Sequence, residues 1–272
     1  MRKTLKIGRI TWSYIEHGSG DELWLAFHGF GQDACVMSHF MQTFRPNAKV
    51  LSFDLPLHGQ TVISGKFRFT SDHLLASDIA DLLGHAIREN GGKSCSLVGF
   101  SLGGKMVLKL VELVPGKIDR LVLIAPDGLK VNPLYRFCTH TKFGRFLFKF
   151  IIRFPQPLLA SSWLISSVGL MNKKIHQFVN AQMGTREKRQ KVFDTWVMFK
   201  ELTPNLKDVR SKIWRYHIKP TLIFGTKDRV IHPKLAKKLS GDNCSSAGVI
   251  ILETGHNLTT KEHAEYLREM IL

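Results

Sequence analysis

Six short runs of nearly unbroken apolar residues recur along the chain: LWLAFHG (23–29), AKVLSFDLP (48–56), CSLVGF (95–100), RLVLIAP (120–126), PTLIFGTKD (220–228) and GVIILETGH (248–256). Strands that are apolar on both sides must be covered on both sides, which is the condition of a parallel sheet between helical layers. The segments between the runs fit that requirement. Residues 33–44 and 102–114 read as helices. Residues 71–90 repeat apolar side chains at Leu74, Leu75, Ile79, Leu82, Leu83 and Ile87, with Thr70 or Ser71 as the expected cap. Further helices are expected from about His232 and from about Leu258, and residues 6–16 could add an antiparallel pair at the sheet edge. The length suits one α/β domain with an insertion or two small domains, enough to bury roughly three quarters of the unfolded surface.

The alternation breaks between Lys130 and Lys219, where helical patterns replace strands. This segment holds 18 Lys and Arg against 4 Asp and Glu, so it carries 14 of the chain's formal net charge of +17. The reading is a sheet core of residues 1–129 and 220–272 with a helical insertion of residues 130–219. A basic excess of this size attracts acidic partners. No apolar run reaches the ~18 residues that span a bilayer. The opening MRKTLKIGRITWSY has no sustained apolar stretch and no small-residue cleavage site. Cys35, Cys95, Cys138 and Cys244 are scattered. These features together predict a soluble, reduced, cytoplasmic protein, with peripheral attachment at the inner membrane surface open to it.

In a parallel sheet, reactive groups gather where strands end. Ser101 follows the third run, Asp228 ends the fifth and His256 ends the sixth. A serine hydroxyl attacks an ester only with a base in reach, and the base needs an orienting acid. These three residues supply those types in the order Ser, Asp, His. Gly99-Phe100-Ser101-Leu102-Gly103 matches the G-x-S-x-G elbow between a strand and a helix. The backbone N–H of Leu102, and that of Phe30 in HGFG, are the expected oxyanion donors. Asp127, just after the fourth run, is the alternative acid, although a turn role in PDG suits it better. His28 reads as a residue that shapes the oxyanion loop. No metal-ligand spacing or phosphate loop is present, so neither a metal nor another cofactor is expected.

The motifs HGFG (28–31), FDLPLHGQT (53–61), GFSLGG (99–104), GTKD (225–228) and GHN (255–257) resemble the α/β-hydrolase superfamily across nearly the whole chain. The resemblance implies a mostly parallel sheet of about eight strands, with a helical cap inserted where residues 130–219 stand. It also implies a serine carboxylic-ester or thioester hydrolase of a hydrophobic acyl or aromatic substrate. The family often has glycine where Leu57 stands, and Asp54 and His58 are then expected to be structural. HGFGQDA and GFSLGG are also similar to a methyl esterase acting on a carrier-protein-linked acyl group. A menaquinone-pathway lyase branch uses the same triad, and a non-catalytic receptor for a small ligand is a further reading.

Within the insertion, Thr141–Pro155 places Phe143, Phe146, Leu147, Phe150, Ile151 and Phe154 on one helical face. Lys142, Arg145, Lys149 and Arg153 form a basic stripe beside them. Phe143, Phe146 and Phe150 are therefore candidate substrate contacts. Arg145, Lys149 and Arg153 are candidate contacts to an acidic carrier protein or an anionic membrane surface. No nucleic-acid module is visible. The oligomeric state is not legible.

Overall fold

The structure is a computed structural model that describes residues 1–65, 72–156, 183–240 and 248–271. Its strands are β1 (Arg2–Ile7), β2 (Ile10–His17), β3 (Leu23–Phe27), β4 (Lys49–Phe53), β5 (Val62–Ile63), β6 (Cys95–Phe100), β7 (Ile118–Ile124), β8 (Lys219–Gly225) and β9 (Gly248–Leu252). Eight of them form one path in the order β1-β2-β4-β3-β6-β7-β8-β9, and β5 pairs with β2 beside it. Strands β1 and β2 are antiparallel to their neighbours. From β4 to β9 every pairing is parallel. Every residue of the central strands β3 and β6 is buried, which explains their unbroken apolar sequences.

Side chains alternate across a strand, so the two faces of the sheet use different residues of one run. Trp24, Val50, Val98, Val122 and Ile223 share a core with Met37, Phe40, Met41 and Phe44 of α1 (Ala34–Phe44) and with Ala264 and Leu267 of the C-terminal helix Lys261–Ile271. Helices α2 (Ala76–Glu89) and α3 (Leu102–Leu113) pack against each other, and α3 lies on β3, β6 and β7.

Caps fix where these helices begin. The Asp33 carboxylate accepts the Cys35 N–H at 2.9 Å and starts α1. Helix α2 starts at Ala76, later than its periodicity suggests. There the Asp78 carboxylate reaches back to the Leu75 N–H at 2.9 Å, closing the first turn. The expected caps Thr70 and Ser71 lie outside the described residues. The last helix likewise starts at Lys261 rather than Leu258, because Thr260 Oγ1 accepts the His263 N–H. Near His232 the chain forms a 3-10 turn, Pro233–Ala236, and one short helix, Lys237–Ser240.

By contacts the chain forms two compact units. The first comprises residues 1–67, 74–130 and 202–272, and the second residues 68–73 and 131–201. Composition sets the end of the insertion at 219, whereas contacts set it at 201. The difference is the helix Leu206–Arg215, which packs on α3. Its Lys212 ammonium donates to the Glu112 carbonyl near the C-terminal end of α3, a favourable place for a cation. Its charge resembles the insertion while its packing belongs to the sheet.

The second unit contains α4 (Pro133–His140), α5 (Lys142–Arg153) and α6 (Arg186–Met198). Its core is aromatic: Phe148 lies 5.3 Å from Phe193 and 5.6 Å from Trp196, and Tyr135 lies 5.3 Å from Trp196. Arg189 is buried, and its guanidinium donates to the Ile152 and Met183 carbonyls. It thereby satisfies a carbonyl that the end of α5 leaves open.

Candidate active site

Strands β3, β6, β8 and β9 are parallel, so the loops after them lie at one edge of the sheet. Ser101 occupies the turn between β6 and α3 with φ 49° and ψ −112°, outside the regions an L-residue prefers. The tightness of that turn explains its glycines. A Cβ at Gly99 would sit 2.7 Å from the Gly103 carbonyl oxygen, and one at Gly103 would sit 2.2 Å from the Phe27 carbonyl oxygen. Hydrogen bonds hold the elbow in place: Ser101 N–H donates to the Ile124 carbonyl at 2.9 Å, and Asp127 N–H donates to the Ser101 carbonyl at 2.8 Å.

The three residues singled out in the sequence meet at this edge. Ser101 Oγ lies 3.1 Å from His256 Nε2. His256 Nδ1 lies 2.7 Å from Asp228 Oδ2. A carboxylate can only accept, so Nδ1 carries the proton and Nε2 faces the serine as an acceptor. The other Asp228 oxygen, Oδ1, accepts the N–H groups of Val230 and Ile231 at 2.8 and 2.9 Å. With these three donors the carboxylate is fully buried, yet its hydrogen bonds are satisfied. The Phe100 ring packs 5.1 Å from the imidazole. The alternative acid, Asp127, turns its carboxylate to the Gly128 N–H at 2.7 Å, the contact of a turn residue.

Leu102 is the first residue of α3, so its N–H has no earlier carbonyl in the helix. Phe30 lies in the loop after β3, and that loop is tied down from several sides. Gly29 N–H donates to Gln32 Oε1 at 3.0 Å. His28 is buried; its Nε2 accepts the Leu55 N–H at 3.0 Å, so its Nδ1 donates to the Gly29 carbonyl at 2.7 Å. His28 therefore joins two loops, in keeping with a structural role. Asp54 is buried as well, and it binds Arg2, the Ala34 N–H and the Gln60 N–H. Leu57 stands at φ 67°, the left-handed region in which glycine is at ease, which accounts for the family's preference there.

Two features were not legible beforehand. Gln32 Nε2 donates to Thr259 Oγ1 at 3.3 Å, linking the Phe30 loop to the segment after His256. Only its position beside HGFG could have flagged it. Lys105, one turn after Ser101, is buried. Burial pulls its ammonium pKa down, and nearby Asp127 partly opposes that shift.

The remaining candidates lie on α5 in the second unit. Phe143, Phe146 and Phe150 are on its exposed side. The Arg145 guanidinium donates to the Thr139 carbonyl at 2.7 Å, while Lys149 and Arg153 are exposed. Cys35, Cys95 and Cys138 are free thiols, and Cys244 lies outside the described residues. Among the described residues no helix is long and apolar enough to cross a membrane.

Known proteins show the same architecture. The chain is 25% identical over 270 residues to the uncharacterized hydrolase YugF of Bacillus subtilis, covering 95% of this chain and 92% of that one. An esterase from Thermogutta terrifontis superimposes with a TM-score of 0.65 at 15% identity, over 100% of this chain and 96% of that one. The thioesterase domain of a curacin biosynthetic pathway gives 0.63 at 15% identity, over 100% and 98%. At such identities the two structures speak for the fold alone. The model of the alpha/beta hydrolase family matches residues 17–269, and the chain belongs to that family.

Proposed function

We propose that the protein is a serine carboxylic-ester or thioester hydrolase that works through an acyl-enzyme on Ser101. The observation that carries this reading is the hydrogen-bonded chain from Ser101 through His256 to Asp228 at the strand ends. As Ser101 Oγ attacks the carbonyl carbon, its proton passes to His256 Nε2. Asp228 stabilises the imidazolium and keeps the ring oriented. The tetrahedral oxyanion accepts the N–H groups of Leu102 and Phe30. Collapse expels the alcohol or thiol, which takes the proton from Nε2. Water then attacks the acyl-enzyme, gives a proton to His256, and that proton returns to Ser101 as the acid departs. The proton of Ser101 leaves with the alcohol or thiol, and water supplies its replacement.

The ester class is tested by a p-nitrophenyl ester series from acetate to palmitate on the wild type and on Ser101→Ala. Serine-dependent hydrolysis with an optimum in chain length is the expected result. Equal turnover by the two proteins would refute the mechanism. Silence on every ester from a folded protein would refute the ester reading.

A further inference from the structure

Helix α5 packs on its own unit through Gly144, Phe148 and Ile152. A Cβ at Gly144 would lie 2.1 Å from the Phe137 carbonyl oxygen, so this side of the helix is fixed against α4. The opposite side is apolar and open. Phe143 is 65% exposed, Phe146 66%, Leu147 38%, Phe150 46% and Phe154 46%. Their spacing makes one continuous stripe over three turns. Lys142, Lys149 and Arg153 follow one edge of that stripe at helical spacing, and all three are exposed. No carboxylate interrupts the KFGRFLFKFIIR sequence of the helix. Arg145, expected in the same row, is drawn inward to the Thr139 carbonyl.

Contiguous apolar surface of this kind marks an interaction site. We infer that α5 seats on an anionic phospholipid surface, with its phenylalanines and Leu147 at the acyl boundary and Lys142, Lys149 and Arg153 among the headgroups. A second copy of the helix would cover the stripe but would bring no carboxylate to its cations. An acidic protein would meet the cations and leave most of the stripe in water. An anionic bilayer satisfies both, because its charge and its apolar interior lie a few ångströms apart along the normal. Rings and cations also interleave as an interface requires: Phe150 lies 5.1 Å from Phe154, and the Arg153 guanidinium lies 5.7 Å over the Phe154 ring.

The test is co-sedimentation of the whole protein with phosphatidylcholine vesicles, with and without phosphatidylglycerol. The wild type should partition to the phosphatidylglycerol vesicles and be released by salt. Replacing Lys142, Lys149 and Arg153 together by Glu should cut that partition by at least about fivefold for each side chain lost. Phe146→Ser with Phe150→Ser should lower partition to both vesicle types. Circular dichroism establishes that each variant is folded, and the charge variant decides the matter if the apolar one is not. Indifference of the wild type to phosphatidylglycerol overturns the inference. So does undiminished partition of the charge variant. Concentration-dependent dimerisation that Phe146→Ser abolishes, or binding to an acidic carrier protein in place of vesicles, overturns it in favour of that partner.

Discussion

Gln32 and Thr259, 227 residues apart in sequence, are joined side chain to side chain at 3.3 Å. The same Gln32 amide holds the Gly29 N–H at 3.0 Å. One side chain thus ties the loop that contains Phe30 to the segment that carries His256. The two are brought to one place from opposite ends of the chain, and a polar bridge keeps them in register.

Gln32→Ala should loosen the Phe30 loop without touching Ser101. Steady-state kinetics on a short p-nitrophenyl ester should show kcat lowered by roughly ten- to a hundredfold, with KM little changed, because a misplaced donor costs mainly transition-state stabilisation. An unchanged kcat would mean that the loop keeps its shape without the bridge.

The proposed role of Asp228 as the acid is tested by a pair of variants. Asp228→Asn removes the carboxylate that accepts the His256 Nδ1 proton and should lower kcat by roughly a thousandfold or more. Asp127→Asn leaves that contact intact and should stay within a few-fold of the wild type. The reverse ranking would reassign the acid.

Leu57 at φ 67° bears a strain that glycine would not. The left-handed conformation costs an L-residue about 1–2 kcal/mol, and glycine's greater unfolded freedom takes back up to about 1 kcal/mol of the relief. Thermal unfolding should therefore find Leu57→Gly as stable as the wild type or slightly more so. Leu57→Val should be clearly less stable, because a β-branched side chain tolerates this conformation worst.

Asp194, buried on α6, has its pKa pushed up to about 6 by desolvation, against the pull of Gln190 and Lys149. A carboxyl group whose folded pKa lies above its unfolded value binds more protons in the native state. Stability is then greatest below the unfolded pKa, near 4, and is lost as pH rises through about 6. Asp194→Asn should flatten this dependence and raise stability at pH 8 by about 1–3 kcal/mol. Melting curves from pH 4 to pH 8 measure it. A variant that keeps the slope would place its origin elsewhere.

The central strands and the elbow were legible because burial on both faces forces unbroken apolar runs, and because a turn as tight as that around Ser101 admits few residues beside it. The placing of Ser101, Asp228 and His256 at one sheet edge was legible for a related reason: each lies within four residues of the end of a strand whose direction is fixed by its neighbours. Helix starts were less legible. Leu74 is buried ahead of the helix and Leu75 is exposed, whereas the first turn of α2 is set by one hydrogen bond from the Leu75 N–H to the Asp78 carboxylate. The 202–219 segment misled because charge composition does not record what a lysine binds, and Lys212 binds α3. On α5 the periodicity located an apolar face, but Gly144, Phe148 and Ile152 took the inward side. An all-apolar pair of flanks leaves that choice to packing. Gln32 lacked any signal of its own, since a glutamine bridging two loops looks in sequence like any exposed polar residue.

The central claim is that Ser101 is a nucleophile activated by His256. Its most direct test is reaction of the whole protein with a fluorophosphonate, read by intact mass and peptide mapping. One phosphonyl adduct is expected, on Ser101, formed rapidly by the wild type, slowly by His256→Ala and not at all by Ser101→Ala. A wild type that stays unlabelled, or an adduct that persists in Ser101→Ala, would contradict it.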